Sequence, residues 1–212
     1  MLPKTIGVLA LQGDFEKHQQ RISKLGHKSI LLRAKDTLSE IDALIIPGGE
    51  SSTFLKLCNS DFRYKLEELI SSGLPTFATC AGLVFLAAKV TNPKQDSLGL
   101  LDLEVSRNAY GRQLQSFVST ELKWTEQGID YLKRLGTANQ LDSAEFSDLS
   151  SRPIEGVFIR APKITLHGEK VQVLAQHKTV PVLVRENNIM AASFHPELSE
   201  DALVHRVFLA GC

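Results

Sequence analysis

The chain has 212 residues, 43% hydrophobic and 23% charged, so it carries the apolar material for a sizeable core and lacks the composition of a disordered chain. Twenty-four Lys and Arg balance 24 Asp and Glu, a formal net charge of zero, which argues against a protein that works mainly by neutralising nucleic-acid phosphates or a membrane surface. One domain spanning residues 1–212 is the expectation at this length. Cys58, Cys80 and Cys212 are too few and too scattered for a disulfide framework or a zinc site, which favours a reduced, cytoplasmic setting. No apolar run approaches the roughly 18–20 residues of a membrane span, and Met1-Leu2-Pro3-Lys4 leads into a strand without a signal-peptide layout.

In chain order, residues 6–11 form a short continuous apolar run that stops at Gln12-Gly13, as expected of a strand buried on both faces. Asp14 stands at the N-cap position of a helix whose apolar spacing (Phe15, His18, Ile22, Leu25) ends at Gly26. Strands are expected at 29–32 and 43–46, the latter broken by Pro47-Gly48-Gly49. Helical spacing follows at Leu55, Leu66, Leu69 and Ile70, then a strand at 76–78 and a helix over 83–88. Strands alternating with helices predict a parallel sheet covered on both faces, with ligands gathering at the carboxyl ends of the strands. In the second half, short runs at 103–105, 116–122, 156–159, 171–174, 180–184 and 190–194 read as antiparallel additions. Residues 126–152 are polar, and the expectation there is an insertion with one short helix. The tail from Ser199 reads as a capped helix with Glu200 and Asp201 in its first turn and Leu203, Val204, Val207 and Phe208 on one face.

Three segments carry chemistry. Thr79-Cys80-Ala81-Gly82 joins an apolar strand to a helix through small residues, the pattern of a nucleophile elbow. From this segment alone, Cys80 as a buried small hydrophobe remains an equal alternative. In Ser193-Phe194-His195-Pro196-Glu197, residues two apart on an extended backbone share a side, so Glu197 would orient His195 as the base of a cysteine nucleophile. An incidental strand end is the bland alternative. Pro47-Gly48-Gly49-Glu50-Ser51-Ser52 follows a buried strand. Its glycines would turn N–H groups toward a phosphate or an oxyanion, or simply form a tight turn. The segment lacks the lysine of a P-loop. The other histidines, His18, His27, His167, His177 and His205, lack a comparable partner pattern and read as surface or core residues.

Together these segments resemble the class I glutamine amidotransferases, and within them the glutaminase subunits of pyridoxal 5′-phosphate synthase. The resemblance rests on Leu9-Ala10-Leu11-Gln12-Gly13, Pro47-Gly48-Gly49-Glu50-Ser51, Thr79-Cys80-Ala81-Gly82, Arg107-Asn108-Ala109-Tyr110-Gly111-Arg112-Gln113, Phe158-Ile159-Arg160-Ala161-Pro162 and Ser193-Phe194-His195-Pro196-Glu197-Leu198, in family order. Departures are Ala78, where glycine usually precedes Thr-Cys, and Asp14 and Lys17 after Gln-Gly.

The resemblance implies an α/β fold: a three-layer open sheet, mostly parallel with antiparallel additions, of the flavodoxin-like kind. It implies Cys80 as nucleophile, His195 as base and then acid, Glu197 as its orienter, and Gly49 and Ala81 as oxyanion donors. Gly48, Gly49, Glu50, Arg107, Ile159 and Arg160 match glutamine contacts. L-glutamine is the implied substrate, a barrel-shaped synthase subunit the implied partner and acceptor of the ammonia, and no metal or other cofactor is expected. In the family the isolated glutaminase is nearly inactive until docked. Competing expectations are the glutaminase of another amidotransferase, such as that feeding imidazole glycerol phosphate synthesis, a thiol peptidase or γ-glutamyl hydrolase, and a non-catalytic binding homologue.

Overall fold

A computed structural model describes residues 2–34, 38, 40–107, 116–139, 147 and 149–212. The apolar runs form strands whose side chains alternate between two cores. In β3 (Ala43–Ile46) all four residues are fully buried. Ala43 and Ile45 enter one apolar cluster, and Leu44 and Ile46 enter the other. A strand buried on both faces needs a helical layer on each side, which is the physical content of three layers.

The nine-stranded sheet contains β1 (Thr5–Leu9), β2 (Lys28–Leu32), β3, β4 (Thr76–Thr79), β7 (Phe117–Trp124), β8 (Ile154–Phe158), β10 (Gln172–His177), β11 (Val180–Glu186) and β12 (Ile189–Ala192), in the order β2-β1-β3-β4-β12-β11-β10-β7-β8. The first five are mutually parallel, and the pairings from β12 to β8 are antiparallel. The expected parallel sheet with antiparallel additions is therefore present. A second, three-stranded sheet holds β5 (Ala87–Thr91), β6 (Leu101–Ser106) and β9 (Lys163–His167).

Helices α1 (Phe15–Lys24), α5 (Glu126–Ala138) and α6 (Leu203–Ala210) supply Ile22, Leu132 and Phe208 to the core on one face. The opposite face is covered by α2 (Ser51–Leu57), α3 (Ser60–Ser71), α4 (Ala81–Leu86) and the small sheet, through Phe54, Leu66, Phe85 and Val105. Caps set several starts: Asn59 Oδ1 accepts from Phe62 N–H at 2.9 Å, and Thr125 Oγ1 from Gly128 N–H at 3.0 Å. Asp14 precedes α1 as expected but makes no side-chain cap bond. Asp201 lies ahead of α6 rather than within its first turn, where its carboxylate accepts from Leu203 N–H at 2.9 Å.

Four differences from the sequence expectations have physical causes. α4 ends at Leu86, and Ala87 begins β5, because Ala87 and Val90 are buried in pairing with β6. β9 lacks clean alternation, since Thr165, Leu166 and His167 are exposed and only Ile164 enters the core. β12 stops at Ala192, and Ser193 and Phe194 belong to the loop beyond it. Residues 126–152, expected to be an insertion with one short helix, begin with the 13-residue α5 (Glu126–Ala138). Its buried stripe includes Gly128 and Gly136, which carry no hydrophobic signal. A Cβ on Gly128 would lie 2.1 Å from the Leu174 carbonyl oxygen, so this helix sits on β10 at backbone contact.

Gly128→Ala is therefore expected to destabilise the protein by about 1–3 kcal/mol despite alanine's better helix propensity, measured by urea unfolding. An unchanged midpoint would show that α5 is not held at that distance.

Candidate active site

The carboxyl ends of β1, β3, β4 and β12 lie along one edge of the sheet because these strands are parallel. β8, four antiparallel steps from β12, points the same way. The Cys80, His195 and Gly48-Gly49 segments leave this edge, whereas Arg107 follows β6 of the three-stranded sheet. Gln12-Gly13 follows β1, Pro47-Gly48-Gly49-Glu50 follows β3, Cys80 follows β4, Ile159-Arg160 follows β8 and His195 follows β12.

Cys80 occupies the N-cap position of α4 with φ 47° and ψ −101°, a backbone conformation that non-glycine residues hold only under constraint. Its N–H donates to Ala192 O at 2.8 Å, and its carbonyl accepts from Val84 N–H at 3.2 Å. Gly82 allows the helix to follow this turn, since a Cβ there would lie 2.2 Å from the Ile46 carbonyl oxygen. This close approach is the reason for the small residues around the cysteine. The side chain is nearly buried, with Sγ 4.0 Å from Ile159 O.

His195 Nδ1 lies 2.7 Å from Glu197 Oε1. The pairing expected from residues two apart is present, but on a 3₁₀ turn at Pro196–Leu198 rather than on extended strand. Glu197 is fully buried. Burial opposes a charged imidazole at His195. The charge and hydrogen bond of Cys80, followed by those of Glu197, outweigh it and hold this ring well above the ordinary histidine range. His195 N–H also donates to Val157 O in β8 at 2.8 Å, which fixes the loop against the antiparallel half of the sheet.

The glycine loop closes around these groups. Gly48 N–H donates to Thr79 Oγ1 at 2.9 Å. A Cβ on Gly48 would meet His195 Cε1 at 2.4 Å and Cys80 Cβ at 3.1 Å, so its missing side chain is what admits the imidazole beside the cysteine. Gly49 has φ 138°, and Gln12 Oε1 accepts from Glu50 N–H at 2.8 Å. The Glu50 carboxylate lies 3.1 Å from Arg107 Nη2 and 3.6 Å from Arg160 Nη1. Arg160 has φ 45°.

A cavity of about 150 Å³ brings together Gly49, Glu50, Cys80, Ala81, Arg107, Ile159, Arg160 and His195. Gly48 lies against His195 and Cys80, and Glu197 against His195. All the sequence-predicted site residues thus converge. Asn108 to Gln113, the rest of the Arg107 motif, lie outside the described residues.

Sequence reasoning did not name Thr79, Asp14, Ser51, Val84 or Pro162 as site residues, nor Gln12 beyond its motif. Thr79 and Gln12 hold the glycine loop, and the others line the cavity. Asp14 also lies with His195 and Glu197 in a group whose ligand-type atoms fall within 4.8 Å of one another. His18 and His205 read as surface or core residues. Both are fully buried, with His18 directly behind Glu197 at 3.4 Å. Among the described residues no helix is long and apolar enough to cross a membrane.

The chain matches the SNO glutamine amidotransferase family over residues 8–135 and 132–212. A relative named pyridoxal 5′-phosphate synthase subunit PdxT, from Thermotoga petrophila, is 41% identical over 205 residues, covering 96% of this chain and 97% of its own. A relative of the same name from Koribacter versatilis is 44% identical over 204 residues, covering 96% and 93%. A crystal structure described as a glutamine amidotransferase superposes with a TM-score of 0.80 at 39% identity, covering 98% of this chain and 99% of that one. A glutamine amidotransferase from Thermotoga maritima shares the fold at a TM-score of 0.60 and 9% identity, covering 100% and 81%. The chain belongs to the SNO glutamine amidotransferase family, and the enzyme class expected from its motifs, a glutamine amidotransferase, stands with that membership.

Proposed function

We propose that this chain hydrolyses L-glutamine to glutamate and ammonia through Cys80, His195 and Glu197, and hands the ammonia to a pyridoxal 5′-phosphate synthase subunit. The observation that carries the reading is the strained Cys80 beside an imidazole held in its charged form, in one cavity with Glu50 and its two arginines.

A carboxamide is a poor electrophile with a poor leaving group, so its hydrolysis needs a strong nucleophile, oxyanion stabilisation and a proton for nitrogen. The Cys80 thiolate attacks the side-chain amide carbon of glutamine. Backbone N–H groups of Gly49 and Ala81 receive the developing oxyanion, each contributing about 3 kcal/mol. His195, in its charged form, donates a proton as the C–N bond breaks and ammonia leaves. The neutral ring then takes a proton from water, which attacks the thioester, and the C–S bond breaks to release glutamate and restore the Cys80 thiolate beside the charged ring. Glu197 keeps the imidazole in the orientation and tautomer that both steps use. Arg107 and Arg160 carry two positive charges against the single negative charge of Glu50, which suits the paired carboxylate and ammonium of a free amino acid. Gly48 completes the wall of the site. A small pocket with charged groups for both ends of an amino acid favours glutamine over a peptide substrate.

The partner reading rests on relatives that are named as synthase subunits and match this chain nearly end to end. In that assembly the partner builds pyridoxal 5′-phosphate from ribose 5-phosphate and glyceraldehyde 3-phosphate. Docking sets the Gly48-Gly49 loop in its oxyanion-binding form, so the free chain turns over slowly.

Ammonia release from glutamine, measured with and without the synthase subunit, is expected to rise on addition of the partner and to vanish in Cys80→Ala. Equal release without partner would refute the docking dependence, and full activity in Cys80→Ala would refute the nucleophile. Glu197→Gln is expected to lower kcat by roughly 10³–10⁴-fold. Because Glu197 helps to raise the His195 pKa, its loss lets His195 deprotonate at lower pH. The alkaline limb of the kcat profile should accordingly move to lower pH, and an unmoved limb would show that Glu197 does not support the charged ring.

A further inference from the structure

Behind the proposed triad lie two further imidazoles that its chemistry does not use. Glu197 presents Oε1 to His195, while its buried Oε2 makes no hydrogen bond of good geometry among the described residues. His18 Nε2 stands 3.4 Å from that oxygen, and both side chains are fully buried. His18 Nδ1 in turn lies 2.9 Å from His205 Nε2, also fully buried. The line Cys80–His195–Glu197–His18–His205 thus runs from the cavity into the core between α1 and α6. A core position needs no histidine, because an apolar side chain fills it without desolvating polar atoms. Two in succession behind a buried carboxylate call for a reason.

We propose that His18 is a positioning residue for the glutaminase reaction, donating its Nε2–H to Glu197 Oε2, with His205 fixing the tautomer that makes this donor. The proposal rests on the function assigned above.

Burial, then His205, then His195 hold His18 well below the ordinary histidine range, while burial and Arg21 push His205 down to about 3. Both rings are therefore neutral at working pH, and each carries one N–H. If His205 Nε2–H donates to His18 Nδ1, the remaining His18 proton sits on Nε2 and faces the carboxylate. His205 Nδ1, which has no hydrogen-bond partner among the described residues, is then a bare lone pair. In the opposite arrangement a His18 lone pair faces the carboxylate oxygen, and His205 Nδ1 becomes a buried donor without an acceptor. The first arrangement leaves one acceptor unmet. The second leaves a buried donor unmet and sets two lone pairs against each other, so the first is favoured. Thr79 Oγ1, hydrogen-bonded to His18 Nε2 at 3.4 Å, accepts from Gly48 N–H with one lone pair and has a second, so in the first arrangement it shares the His18 proton with Glu197 Oε2.

The elements packed around His18 supply the other groups it feels. Glu197 lies on the 3₁₀ turn, His195 on the loop after β12, His205 on α6 and Phe77 on β4, edge-on at 6.5 Å between ring centres. Arg21, one helical turn along α1, donates from Nε to the Glu197 carbonyl at 3.1 Å, so α1 grips the turn at both its backbone and its carboxylate. The 3.4 Å separation is long for a hydrogen bond, and contacts of this kind tighten once a site is loaded.

Two readouts test the assignment. Long-range proton–nitrogen correlation spectra of the full-length chain labelled with ¹⁵N-histidine should show His18 and His205 both neutral with the proton on Nε2 from pH 5 to 9. A proton on His18 Nδ1 would overturn the proposal, whatever the activity of the protein. In glutamine hydrolysis with the synthase subunit present, His18→Leu should lower kcat roughly tenfold or more, with KM little changed. It should also move the alkaline limb of the kcat profile to higher pH, because a Glu197 carboxylate without that donor answers the His195 charge more strongly. His18→Gln, which keeps an N–H toward Oε2, should restore the limb toward its original position. A merely structural role would scale the whole profile without moving the limb, and that result would sink the proposal. If the wild-type chain releases no ammonia, the glutaminase reading falls, while the tautomer measurement still decides where the His18 proton lies.

Discussion

A single strained residue organises this protein. Cys80 holds a positive φ that its own side chain disfavours, and it does so because its neighbours leave no other path. The strand before it is locked between β3 and β12, its N–H is tied to Ala192, and the helix after it passes at backbone contact over Ile46. The small residues at Gly48 and Gly82 are consequences of that turn. Each leaves space where a side chain would strike the imidazole or the strand beneath.

The electrostatics follow from the same crowding. A buried imidazole resists charge, and a buried carboxylate resists it more. Placing Cys80, His195 and Glu197 in sequence lets each charge be answered by the next, and the imidazolium becomes the favoured form despite burial. At the mouth, Glu50 plays a different part. It starts α2, accepts from Ser52 N–H and gathers Arg107 and Arg160, so one carboxylate serves both the helix and the rim. The core and the rim of the cavity are thus wired separately.

Much of this was legible before any coordinates. Continuous apolar runs such as 43–46 announce strands buried on both faces, and small residues around Cys80 announce a sharp turn into a helix. The His195–Glu197 pairing was visible from spacing, although a 3₁₀ turn creates it rather than a strand. What escaped notice did so for specific reasons. α5 hides its buried stripe behind two glycines, and β9 buries one residue in five. His18 and His205 stand 187 residues apart and meet only in the folded chain, so no local pattern could pair them. His18 did share helical spacing with Ile22, which was the one signal that it faces inward.

The seam of the large sheet has a consequence for how the enzyme can change. β12 is parallel to β4 on one side and antiparallel to β11 on the other, and the loop leaving it carries His195, the proposed base. Cys80, the proposed nucleophile, comes from the parallel half, whereas Ile159 and Arg160 come from the far end of the antiparallel half. On the proposed function, the substrate contacts are gathered from both halves and from the small sheet, since Glu50 follows β3 and Arg107 follows β6. The side chains of the loop after β8 can therefore change toward a new amide only while the Val157 and Ile159 carbonyls, which hold His195 and face Cys80, stay in place.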